Sequence, residues 1–263
     1  MKIAISYLLL FLLISGLAMF VASFIYLLSI GNGVIDSLGS KSQTAVPIEV
    51  EMWATIVADI ILFGYFLWRR YCPVSRNYVR SRPLKVVFWC IVAALGTVLP
   101  SMWLQEHLSF LPNLSQPLDS LLGSPLGYIS VVICAPLCEE VIFRGAVIRS
   151  LLEWRDNKKL AIVISAAIFA VAHINPIQIP HVFLAGLLLG WVFVRTNSVV
   201  PGIVIHGVNN LAVFVMASSI SNIDNMTLAD LYGGSTLRAT LSVVFSLMIL
   251  VPAIYQLHRS MKQ

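Results

Sequence analysis

An all-α, polytopic membrane helix bundle of about eight transmembrane helices, with both termini in the cytoplasm, is the fold this sequence predicts. Three observations carry it. The 263 residues are 59% apolar and only 11% charged, whereas soluble domains hold roughly 45–50% apolar and about 25% charged residues. Mean hydropathy is +0.89. The apolar residues fall into blocks of membrane-spanning size, and Lys and Arg gather in alternate loops between them. Disorder, collagen-like repeats, coiled coil and a soluble enzyme are excluded on this composition.

The first block, Ile3 to Ile30, follows Lys2. It is longer than the roughly 7–15 residues of a signal-peptide core and has no small-x-small cleavage site, so it reads as an uncleaved anchor. Further blocks run Met52–Trp68, Val86–Leu104, Tyr128–Ile148, Leu160–Ile174, His181–Val194, Val199–Ala217 and Leu237–Leu257. The fifth and sixth are short of the roughly 20 residues needed to cross about 30 Å of hydrocarbon. Asn175-Pro-Ile-Gln-Ile-Pro180 lies between them. That pattern predicts a hairpin whose tip stays at membrane depth, sheltered by protein or a hydrated recess.

Fourteen basic residues lie in one set of loops: Lys2; Arg69, Arg70, Arg76, Arg80, Arg82 and Lys85; Arg149, Arg155, Lys158 and Lys159; Arg195; Arg259 and Lys262. The other set holds only Lys41 and Arg238, among acids such as Asp36, Glu49, Glu106, Asp119, Asp224 and Asp230. The positive-inside rule makes the first set cytoplasmic. The net charge of +5 therefore reports topology, and no nucleic-acid partner is expected. Trp53, Trp68 and Trp103 near span ends fit interfacial aromatics. Four scattered cysteines, Cys72, Cys90, Cys134 and Cys138, make no disulfide framework and read as packed thiols. The chain divides into an N-terminal transmembrane region (1–120), a core (121–217) and an external loop with the last helix (218–263).

Ionisable side chains cost about 2.5–3.5 kcal/mol each in hydrocarbon even on the lenient insertion scale. The fourth block nonetheless holds Glu139, Glu140 and Arg144, which must face the bundle interior or a cavity. Glu140 and Arg144 stand four apart in the favourable order for an ion pair, so they read as a structural ion pair. Glu139 is rotated about 100° away and is left for chemistry. His173 ends the fifth block. His206 and Asn210 share a face of the seventh, with Asn209 turned off it. Asp59 stands in mid-span, either in a polar pathway or bonded to a neighbouring helix. Gly186 and Gly190 form a GxxxG whose expected use is close packing within the chain, a homodimer being the second reading. His181, expected at the hairpin turn, and His258, in the tail, show no helix-face pairing in the sequence pattern and are left outside the site.

Glu139-Glu-Val-Ile-Phe-Arg-Gly145 resembles the EExxxR motif of the CPBP family, the CAAX proteases and bacteriocin-processing enzymes also called the Abi family. Phe169-Ala-Val-Ala-His173 resembles its FxxxH, and His206-Gly-Val-Asn-Asn210 its HxxxN, in the family order. The resemblance implies an intramembrane endopeptidase in which Glu139 is the catalytic carboxylate, His173 its partner in activating water, and His206 with Asn210 the oxyanion stabilisers. Peptide hydrolysis needs such a base, acid and donor set. The expected partners are the lipid bilayer and a membrane-associated peptide or protein substrate, in a bacterial plasma membrane. No cofactor is expected. The alternative is zinc held by Glu139, His173 and His206, since two histidines and a carboxylate are a legitimate ligand set. A non-catalytic membrane regulator or bacteriocin-immunity protein, and a proton-coupled transporter, are the competing functions.

Overall fold

The structure is a computed structural model that describes residues 1–29, 46–72, 83–114, 121, 124–220 and 226–261. Eight long helices dominate the described residues: α1 (Lys2–Ser29), α2 (Ile48–Trp68), α3 (Pro83–His107), α4 (Pro125–Trp154), α5 (Lys158–Ala172), α6 (Ile179–Thr196), α7 (Val200–Ser218) and α8 (Thr236–Ser260). Among the described residues seven are long and apolar enough to cross a membrane, and α5, with 15 residues, is not. The protein is a multi-pass helical membrane protein. Of the two blocks expected to be short, only the fifth is. Helix α6 reaches 18 residues because Pro180 sits in its first turn, where a missing N–H costs nothing, and Asn197 closes it at a left-handed φ of 52°.

Successive helices reverse direction. Tyr7, early in α1, packs against Tyr71 just beyond α2 at 5.0 Å. Late in α6, Gly190 lies against Ile148 of late α4, and Trp191 stacks on His258 at the end of α8. Both chain ends thus lie at one end of the bundle, as the expected even alternation requires. At the other end, the Leu114 N–H donates to Asn175 Oδ1 (3.1 Å) and the Leu228 N–H to Glu106 Oε2 (2.9 Å). Asp230 in that region accepts from the Thr227 N–H and hydroxyl, which holds its carboxyl below the usual range. Lys41, Arg76, Arg80, Arg82, Lys262, Asp36, Asp119 and Asp224, part of the charge asymmetry, lie outside the described residues.

Helix α1 is peripheral: Ala4 is its one buried residue, and it docks through Tyr7 on Phe66 and Phe11 on Phe143. The core lies around α4, whose residues Glu140 to Ile148 are all buried. The GxxxG face is used inside the chain. A Cβ on Gly186 would meet Ala166 at 3.0 Å, and one on Gly190 would meet Ile148 and Ile162 at 3.3 Å. Those glycines let α5 and α6 close as a hairpin.

Helix α4 is not uniform. Ser124 caps it by accepting from the Leu126 N–H, with Pro125 opening the first turn. Two stretches, Ile129–Cys134 and Glu140–Ile148, are π-helical. Such widened turns recur at functional sites, and here they flank Glu139.

Candidate active site

Glu140 is fully buried, and its Oε1 accepts from Arg144 Nη1 at 3.0 Å. The same oxygen lies 3.2 Å from His206 Nδ1. A carboxylate only accepts, so Nδ1 carries the proton there. His206 Nε2 lies 3.8 Å from Glu139 Oε2. Both glutamates therefore approach one imidazole. The π-helical stretch that starts at Glu140 departs from the 3.6-residue register behind the expected separation of the two carboxylates. Glu140 serves more than its ion pair: Arg144 anchors it, and it orients His206.

Helix α7 can pass this close because Gly202 stands over Glu140. A Cβ there would lie 2.6 Å from Glu140 Oε2. The carboxylate thus sits against the first turn of α7, where the helix dipole favours negative charge.

Phe169 joins the motifs. Its ring lies under the Arg144 guanidinium at 4.1 Å, a cation–π contact. It also meets His173 and His206 edge-on, with ring centres 4.8 and 5.9 Å apart. His173 Nδ1 is 3.0 Å from the Phe169 carbonyl. A carbonyl cannot donate, so Nδ1 bears the proton and neutral His173 keeps its lone pair on Nε2. The next residue, Ile174, is held at φ 54°, an uncommon conformation for a β-branched side chain. Asn175, buried and bonded to Asn113 and Leu114, fixes that turn.

Asn210 is placed by a proline. In the π register Ala135 N–H reaches Ser130 O, so the next donor would belong to residue 136. Pro136 has none. The Val131 carbonyl left open accepts from Asn210 Nδ2 at 2.9 Å. A carboxamide has two N–H bonds, and one remains for other use. Asn209, turned off this face, donates to Thr97 Oγ1 at 2.9 Å.

Two side chains outside the expected set also belong here. Asp59, 6% exposed, lies within electrostatic reach of Glu139 and the Cys138 thiol. His181 interacts with His173 across the turn. Mid-span placement marked Asp59 in the sequence. For His181 the available signal was a histidine on each side of a short proline turn.

The cluster has unspent valence. Glu139 Oε2, Glu140 Oε2, Asp59 Oδ2, His181 Nδ1 and two nitrogens of Arg144 are buried without a hydrogen-bond partner. Buried polar atoms are rarely left so, and each needs a solvent or substrate partner. Among the described residues no three His, Cys, Asp or Glu side chains are grouped to hold a metal ion. No step below runs through zinc.

A polytopic bundle with a glutamate–histidine–asparagine centre between its helices is the class that fold and site define. Residues 121–212 match the family described as type II CAAX prenyl endopeptidase Rce1-like. The match is confined to those residues, from just before α4 into α7. It is also 26% identical over 163 residues to UPF0177 protein YxdF of Lactococcus lactis subsp. lactis (strain IL1403), covering 58% of this chain and 88% of that one. No solved structure matches it significantly.

Proposed function

We propose that the protein is an intramembrane endopeptidase that hydrolyses a peptide bond in a membrane-associated peptide or protein. Glu139 takes a proton from the attacking water, and the Nε2 lone pair of His173 assists. His206, which in its protonated form has an Nε2–H to give, and the second N–H of Asn210 receive the developing oxyanion. Glu139 then returns the proton to the leaving amine. The observation that carries this reading is Glu139 itself: a mid-helix carboxylate whose buried Oε2 has no hydrogen-bond donor and faces His206 at 3.8 Å.

Comparative membrane proteomics of wild type against Glu139→Gln tests it. At least one membrane peptide should stop being cut in the variant while the inserted protein persists. Identical peptide patterns, with both proteins folded, would leave a non-catalytic regulator as the better reading. The mechanism is metal-independent, so activity should survive prolonged chelation, with zinc well below one ion per purified chain. Stoichiometric zinc, removed and restored together with activity, would overturn that part of the mechanism and leave the protease reading standing.

A further inference from the structure

At the end of the bundle that holds both chain termini, a cavity of about 210 Å³ opens between α1, the end of α2 and the end of α4. Tyr7, Arg70, Tyr71, Arg149, Ser150 and Glu153 line it. Arg149 stands ten residues beyond Glu139 on α4, across the whole π-helical stretch and more than two turns away, so the cavity is separate from the active site.

Its depth follows from the span ends. Arg70 lies two residues beyond α2, and Glu153 one residue before the end of α4. Trp68 and Trp154, 76% and 49% exposed, flank it, as aromatics do at headgroup level. This is also the Arg-rich end that the charge asymmetry assigns to the cytoplasm.

The lining sorts into donors and acceptors. Arg70 and Arg149 take part in no ion pair among the described residues, and neither does Glu153. Arg70 is held at φ 58°. That conformation closes α2, with Arg70 N–H on Leu67 O and Tyr71 N–H on Phe66 O at 3.0 Å each. Tyr71 Oη accepts from Arg69 Nε at 3.3 Å, so its own proton is free to donate. The Ser150 hydroxyl donates to the Val147 carbonyl at 2.8 Å and can only accept from a ligand. Two guanidiniums and a phenol thus offer donors to an anion, while Ser150 and Glu153 offer acceptors to a donor group beside it.

We propose that this cavity binds the headgroup of a phospholipid that carries both a phosphodiester and its own hydrogen-bond donors, as a glycerol or ethanolamine headgroup does. Basic recesses between helices at the cytoplasmic face suit such headgroups, and guanidinium suits phosphate geometry. Choline headgroups have the phosphate but nothing to donate to Glu153.

The full chain, purified in detergent and delipidated, is melted with dioctanoyl phosphatidylglycerol, dioctanoyl phosphatidylcholine or inorganic phosphate. The glycerol lipid should raise the melting temperature saturably by a few degrees, and the other two should do so much less. Arg149→Gln and Arg70→Gln should each weaken the apparent affinity roughly tenfold. Glu153→Ala should bring the glycerol lipid down toward the choline lipid. Arg70 is exposed, so its variant folds even if Arg149→Gln does not. An equal shift with phosphatidylcholine, or an unchanged affinity in Arg70→Gln, overturns the proposal. A full shift with inorganic phosphate alone overturns the lipid and leaves a free-anion site.

Discussion

The α3–α8 seam and the α4–α7 seam solve the same problem with different residues. In α3, Pro100 lacks the N–H that would reach Gly96 O, and Ser246 of α8 donates to that carbonyl at 3.3 Å. In α4, Pro136 leaves Val131 O open, and Asn210 of α7 fills it at 2.9 Å. Close approach is not secured alike: a Cβ on Gly96 would meet Leu250 at 3.0 Å, whereas one on Gly207 would meet Val132 O at an ordinary 3.5 Å. The seams differ in what is left over. A hydroxyl has one proton, and Ser246 has spent it. Asn210 keeps a second N–H, and the α4 helix it bonds to carries carboxylate and guanidinium atoms without partners. Spare buried valence, more than polarity as such, separates a site from a packing contact.

The largest way to break this contrast is Glu139→Gln. It removes the base and keeps size and shape, so turnover should fall by about 10²–10⁴-fold with yield and melting temperature near wild type. Retained activity would refute the assignment. Arg144→Ala acts on the other side of the cluster. It strands Glu140 in a fully buried position, which costs about 3–5 kcal/mol, and it removes the cation from the Phe169 ring. Folded yield and melting temperature should drop together, and Glu140→Gln in the same chain should restore part of the loss. A normal melting temperature for Arg144→Ala would show that the pair contributes nothing to the fold.

The division between the seams was half legible in the sequence. Hydropathy blocks and alternating charge mark all eight helices, and Glu139, Glu140, Arg144, His173, His206 and Asn210 stand out because hydrocarbon penalises them. Regular spacing, however, carries no sign of an i→i+5 turn. It sets Glu139 about 100° from Glu140, whereas both reach His206 in the folded chain. Phe169 reads as one more apolar residue, and only packing reveals the ring that Arg144, His173 and His206 share. Asp59 is visible as an anomaly, but Glu139 and Cys138, the groups within its electrostatic reach, lie on another helix, beyond any periodicity. The π register and the proline carbonyls set these meetings, and both depend on tertiary packing.

Asn210→Ala sharpens the comparison, because it touches packing and chemistry at once. Losing one oxyanion donor costs about 10²–10³ in rate elsewhere. Losing the bond to Val131 O should lower stability by about 1–3 kcal/mol, the cost of an unmet buried acceptor. Asn210→Ser separates the two, since a hydroxyl has only one proton to share. If activity falls only in proportion to folded protein, Asn210 is structural, like Ser246.

Ser246→Ala is the smallest change and the control for all the others. Ser246 is buried at 6% exposure, and its single proton goes to Gly96 O. Removing the hydroxyl leaves that carbonyl unmet, yet the 3.3 Å contact is long, and a net loss of about 0.5–1.5 kcal/mol is the ordinary scale for one hydrogen bond. The bond does not touch Glu139, His173 or His206, so turnover per folded molecule should be unchanged. Paired melting and activity measurements on Ser246→Ala and Asn210→Ala put the two proline-opened carbonyls on one scale. A rate loss in Ser246→Ala beyond its stability loss would mean that the α3–α8 seam is coupled to the active site, and the contrast between spent and spare valence would fail there.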